Sequence, residues 1–346
     1  SNLCSHGFDN DQTWRMSTTT NISNASCTRF YSFARQALVE ALKLANVGAG
    51  DYVLIPSLIC RDVIASIHTV GATPIFYEVD AKLHTVRFPS DIGVKAIIYV
   101  NYFGFAQDVE IFERESLRTG AVLIEDNAHG YLSFDVEGKI LGSRAPLSIT
   151  SMRKTLRVSD GAELRINDVK QFPVAPLQLP FVQRSLGFRF RAQQILIAIE
   201  NLLHLPVLQF SRTVVRLLRR IVTGSSLPVS KDNSENENIV STGPRDSSMR
   251  KINALDTERE IERRRNLYLK VETLLLSSSA TPVFESIPEN CTPYGFPFFG
   301  DESVARQVRQ LTRSLGVEVI QWPELPTSVV FNAPTHYTTL WLVNFL

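Results

Sequence analysis

Short, continuous apolar runs alternating with helical patterns constrain this chain more than any other feature. Asp51–Pro56, Thr73–Val79, Lys95–Val100 and Ala121–Ile124 are such runs. Apolar stretches without polar alternation belong to strands covered on both faces, which is the habit of parallel sheets. Between them, Ala34–Leu44 carries apolar residues at spacings of three and four and stops near Gly48 and Gly50. Asp62–Val70, closed by Gly71, and Glu110–Thr119 also read as helices. Strand and helix in alternation predict an α/β fold: a three-layer, mostly parallel sheet flanked by helices, with right-handed crossovers. A further strand is expected over Ala162–Ile166.

The 346 residues suit one large domain and one smaller one. Residues 1–28 are polar and aperiodic and read as a flexible N-terminal arm, with Arg29–Ser32 a short aromatic segment. The large domain is expected over 29–223, including an arginine-rich insert at 171–223 that reads as two helices interrupted near Pro206. Within the insert, Arg212, Arg216, Arg219 and Arg220 alternate with aliphatic residues. That face suits packing with solvated arginines, a peripheral membrane contact over 184–222, or an anionic-ligand rim. Residues 224–248 are rich in Pro, Gly and Ser and read as a linker or loop. A small α+β domain is expected over 249–346. It has a helix Asp256–Ser277 with Arg263, Arg264 and Arg265 exposed and Leu267, Val271, Leu274 and Leu275 inward. A strand Gly295–Phe299, a helix Ser303–Leu315 and a strand Val317–Ile320 complete it.

Lys and Arg total 36 against 35 Asp and Glu, so no overall field favours nucleic acid, and no nucleic-acid module is recognisable. Cys4, Cys27, Cys60 and Cys291 are scattered, with no metal-ligand spacing. Reduced thiols, and the absence of a signal peptide or of an apolar run of spanning length, point to a cytoplasmic protein. The chain opens on Ser1 and closes inside the apolar run LWLVNFL, so either end is open to trimming. No phosphate-binding glycine loop, dinucleotide fingerprint, zinc helix or serine-nucleophile elbow occurs.

Asp126 follows the run Ala121–Ile124, and Lys154 lies about 28 residues later in the hydroxyl-rich stretch SITSMRKT. Spacing alone favours a surface carboxylate and a solvated lysine. Chemistry gives the pair another meaning. An amine forms a Schiff base with an aldehyde, and a carboxylate holds a pyridine nitrogen protonated, which is the protein's part in pyridoxal phosphate catalysis. Phosphate donors would come from the helix that begins near Ala34 and Arg35 and from the hydroxyls of Thr150 and Ser151.

Ordered segments carry a family resemblance: FARQALVEALKLANVGAGDYVLIPS, GATPIFYEVD, YVNYFGFAQD, VLIEDNAHGYLSF with EGKILGS, and SMRKTLRVSDGAEL. The later RRRNLYLKVETLL and PVFESIPENCTPYGFPFF are similar too. Together they resemble the DegT/DnrJ/StrS sugar aminotransferases, pyridoxal 5'-phosphate enzymes of fold type I. The resemblance implies that Lys154 is the Schiff-base lysine and that Asp126 pairs with the pyridine nitrogen. It places His129 near the cofactor's phenolic oxygen, Ala34 and Arg35 at the phosphate turn, and Ser151 as a further phosphate ligand. Cys60 stands where many members carry an aromatic that stacks on the cofactor ring. The implied reaction moves an amino group, with glutamate as donor, to a keto-sugar nucleotide in amino-sugar or polysaccharide biosynthesis, and the implied assembly is a homodimer. A non-catalytic binding or regulatory relative, and a lyase or dehydratase using the same cofactor, are the alternatives.

Overall fold

The computed structural model describes residues 26–90, 92–183 and 234–346. The arm up to residue 25, the two helices expected in the insert and the first part of the 224–248 segment lie outside the described residues.

The larger sheet has eight strands in the order β1-β8-β7-β6-β5-β2-β3-β4. They span Cys27–Tyr31 (β1), Tyr52–Pro56 (β2), Thr73–Val79 (β3), Thr85–Arg87 (β4), Ala96–Val100 (β5), Val122–Asn127 (β6), Leu147–Thr150 (β7) and Ala162–Ile166 (β8). β7, β6, β5, β2 and β3 run parallel, and the edge strands β8, β1 and β4 pair antiparallel. The helices α1 (Ala34–Leu44), α2 (Arg61–Thr69) and α3 (Val109–Thr119) fall close to their predicted bounds. The side chain of Asp108 accepts a hydrogen bond at the start of α3, and Gly120 closes it in a left-handed conformation. The chain leaves β2 for β3 on one side and returns to β5 on the other. Loops beyond the carboxyl ends of β2 and β5 therefore diverge and open a crevice, the usual ligand position in open α/β sheets.

Two boundaries differ from expectation near that crevice. β6 continues through Glu125, Asp126 and Asn127, where polarity made the strand look finished. Pairing with both neighbours extends it: Val100 lies opposite Asp126 on one side, and Ile149 and Thr150 lie opposite Asp126 and Asn127 on the other. β1 begins at Cys27, inside the segment read as an arm, because Cys27–Tyr31 pairs residue by residue with β8.

A second, antiparallel sheet has the order β11-β12-β10-β9. Its strands are Thr281–Pro282 (β9), Gly295–Phe299 (β10), Glu318–Gln321 (β11) and Leu340–Asn344 (β12). The helix expected over Ser303–Leu315 is an α-helix at Glu302–Leu311 followed by a 3-10 turn at Arg313–Leu315. One apolar core joins the two sheets, with Tyr102, Phe103, Phe296, Trp322 and Tyr337 among its members.

The segment read as a linker is, from Ser234 onward, a docked strap. Glu235 accepts from Arg61 Nε at 2.8 Å and from the Thr327 amide at 2.8 Å. Gln36 Nε2 donates to the Val240 carbonyl at 2.7 Å, and Ser32 Oγ donates to that of Gly243 at 2.7 Å. The strap runs into a short helix, α4 (Asp246–Asn253). Side chains on and just before α1 satisfy carbonyls of the strap, and Arg61 of α2 meets its Glu235 carboxylate, which composition alone cannot distinguish from solvation.

The long helix α5 (Thr257–Leu275) corrects another expectation. Arg264 is fully buried, because its position shares a face with Tyr268, Val271 and Leu275. Its guanidinium bonds Glu260 at 2.8 Å, the Pro293 and Tyr294 carbonyls at 3.2 and 3.0 Å, and the Thr155 carbonyl. Burial lowers its pKa to about 10, with Glu260 acting in the opposite direction.

Candidate active site

A cavity of about 260 Å³ opens at the carboxyl ends of β2, β5, β6 and β7. Ala34, Arg35, Cys60, Asp126, His129, Ser151 and Lys154 all line it. The chain thus brings together, at one sheet edge, seven of the eight residues proposed from the sequence; Thr150 is not among the lining residues. Further lining residues that were not singled out include Phe33, Arg153, Tyr294 and Trp322. Tyr294 lies in the TPYGF segment of the resemblance; Trp322, in QWPEL, has no neighbouring signal.

Asp126 is 5% exposed, which removes the surface reading. Its Oδ1 accepts from the Ala128 amide at 2.9 Å. Burial raises its pKa, against the pull of Lys154 and of that amide. The strand beneath is polar and satisfied: Glu125 bonds Asn101 at 2.8 Å and the Arg144 amide at 2.9 Å, and Asn127 bonds the Leu141 carbonyl at 2.9 Å. This network lets carboxylates and amides occupy a buried strand end.

His129 Nε2 lies 3.2 Å from Lys154 Nζ. The Phe103 amide approaches Nδ1 at 3.4 Å, and an amide only donates, so the network assigns the imidazole proton to Nε2. Burial and the nearby lysine hold the His129 pKa well below its ordinary value, so the ring is neutral. The imidazole is held flat between Tyr294, with ring centres 4.5 Å apart, and Phe103, at 5.6 Å, with Trp322 edge-on at 5.4 Å. Phe103 reaches this place through a tight turn. Phe103 and Gly104 both have positive φ, and a Cβ on Gly104 would lie 2.6 Å from the Thr292 carbonyl oxygen.

Cys60 precedes α2 and faces the cavity. Burial pushes its thiol up to about 11, with Lys154 acting the other way. The first two amides of α1, at Ala34 and Arg35, have no intrahelical acceptor by helix geometry and sit at the cavity wall. The Arg35 side chain is engaged with Asp62 at 3.2 Å and Glu237 at 4.0 Å.

The buried carboxylate, the amine 3.2 Å from a neutral imidazole and the open amides at a helix start occupy one cavity. Residues 19–170 match the model of the DegT/DnrJ/EryC1/StrS aminotransferase family. The matched stretch belongs to this aminotransferase family. It contains Asp126, His129 and Lys154, while the Tyr294 and Trp322 wall lies outside it. Solved structures share the fold of this chain at low identity. The aminotransferase TlmJ from Streptoalloteichus hindustanus is 18% identical, covers 92% of this chain and 80% of its own, and superposes with a TM-score of 0.59. Helicobacter pylori PseC, an aminotransferase involved in the biosynthesis of pseudoaminic acid, is 13% identical over 92% and 81%, with a TM-score of 0.60. The PLP form of Spr1654 from Streptococcus pneumoniae is 16% identical over 92% and 81%, with a TM-score of 0.56.

Pyridoxal phosphate is the cofactor this family implies, and the residues present fit it. A buried carboxylate with a raised pKa is relieved by a cationic ring nitrogen. Lys154 offers the amine, and the α1 amides with Ser151 offer phosphate donors. Among the described residues, no helix is long and apolar enough to cross a membrane.

Proposed function

We propose that this chain is a pyridoxal-phosphate-dependent aminotransferase that transfers an amino group, with glutamate as donor, to a keto-sugar nucleotide. The placement in one cavity of Asp126 and Lys154, both from the family-matched stretch, carries the reading. The sugar substrate draws on the resemblance and on the biosynthetic role of PseC. When bound, the cofactor supplies an aldehyde for the lysine and an electron sink for a carbanion. Asp126 holds a proton on the ring nitrogen. Lys154 would hold the cofactor through Nζ and would move a proton at the substrate carbon. His129 orients the lysine from Nε2, and its three aromatic neighbours keep water from that face. The resemblance adds a homodimer, which light scattering in solution would check.

Borohydride trapping with pyridoxal phosphate, followed by peptide mass spectrometry, tests the lysine. The wild-type protein is expected to carry the label on Lys154, and Lys154→Ala to carry none at the site. Label elsewhere in the wild type, or a visible band that survives in the variant, would overturn the assignment. Adding glutamate to loaded protein should convert the cofactor to its amine form, and an unchanged spectrum would count against transamination.

A further inference from the structure

We propose that Arg153, the residue before the Schiff-base lysine, is the cationic partner of the cofactor phosphate in this chain, an assignment that rests on the cofactor reading above. Arg153 lines the cavity together with Phe33, Ala34, Arg35 and Ser151. Its guanidinium carbon lies 5.2 Å from the centre of the Phe33 ring, and Phe33 is the residue from which α1 springs. The cation is thereby placed beside the helix start whose first amides are open. Its Nε is buried and has no hydrogen-bond partner, and among the described residues Arg153 makes no ion pair.

The other cations nearby are engaged. Arg35 also lies over the same ring, at 5.4 Å, but its charge is met by Asp62 and Glu237. Arg61 is met by Glu235 and Glu324. A helix start offers a dianion amides and a partial positive charge, which leaves most of the phosphate charge unmatched. A planar guanidinium adds a full charge and a fork of donors shaped for phosphate oxygens. The aromatic face of Phe33 holds that fork in place without consuming its donors. A buried donor with no acceptor is costly in an empty site, and an anion beside it removes the cost.

The test compares pyridoxal phosphate with pyridoxal, which lacks the phosphate, in titrations of the full chain read by visible absorbance. Arg153→Met is expected to weaken pyridoxal phosphate by about tenfold or more while pyridoxal stays within about twofold. Arg153→Lys should fall between wild type and Arg153→Met, because it restores the charge without the fork. Inorganic phosphate should compete with pyridoxal phosphate less well in Arg153→Met than in the wild type. Equal losses for both ligands, or no loss for either, would overturn the assignment. So would unaltered cofactor affinity with a raised glutamate requirement, which would give the arginine to a substrate carboxylate instead. If circular dichroism shows Arg153→Met unfolded, Arg153→Gln carries the comparison, and failure of all three variants to fold makes the residue structural and overturns the proposal. No absorbance band in the wild type would defeat the cofactor reading itself, whereas a band with an unchanged ligand ratio in the variants defeats only the role of Arg153.

Discussion

At neutral pH His129 is uncharged, because burial and the adjacent Lys154 both disfavour its protonated form. A histidine whose folded pKa lies below the unfolded value takes up its proton more readily in the unfolded chain. Its stabilising contribution is complete above the ordinary value of 6.5 and is lost as the pH falls through the window below it. His129→Gln keeps a donor and an acceptor but removes the titration. The variant is expected to flatten the fall in stability below pH 6.5. Urea unfolding of the two proteins between about pH 5 and 8 would check it, since the wild-type slope attributable to this ring can reach about 1.4 kcal/mol per pH unit. The carboxylate–lysine pair was legible from the sequence because both residue types have a defined chemical use with one cofactor. Arg153 and Trp322 were not legible, since an arginine beside a lysine and a tryptophan in a loop gain meaning only from the cavity they reach.

Among the elements, the strands were read most closely where hydropathy is continuous. Thr73–Val79 and Ala162–Ile166 carry their predicted bounds. β6 was cut short because hydropathy ends at Ile124, whereas pairing and a polar network continue to Asn127. α5 failed on a single residue. An arginine read by residue type is exposed, and Arg264 is buried because helical periodicity places it with Tyr268 and Val271. It links this helix to the carbonyls of Thr155 and Tyr294, which flank the lysine and the aromatic wall. Arg264→Met leaves those carbonyls without their donor, while Glu260 keeps Arg263. The expected loss is about 1–3 kcal/mol, seen as a lower urea midpoint with little change in slope.

For the whole molecule, the α/β class was legible, whereas the strap that begins at Ser234 was not. Its composition is that of a linker, and only the acceptors it offers to Gln36, Arg61 and Ser32 separate the two. The cavity is walled by both sheets, with Asp126 and Lys154 from the larger and Tyr294 and Trp322 from the region of the smaller. A ligand held there binds only when both are in place, so the entire chain shares its binding energy. Pyridoxal phosphate at about 100 times its Kd is expected to add about 2.7 kcal/mol to unfolding, with one transition rather than two. Calorimetry with and without the cofactor would measure this, and a second transition indifferent to the cofactor would contradict it.

β12 has a consequence for how the protein is made. It lies between β11 and β10, yet it is the last strand in chain order. Among the described residues β11 has no other partner, so the ribosome must release residues 340–344 before the smaller sheet can close. The Tyr294 and Trp322 wall therefore waits on residues 340–344, which emerge long after Asp126 and Lys154. A nascent chain stalled before Leu340 would display the lysine without the wall that shelters it.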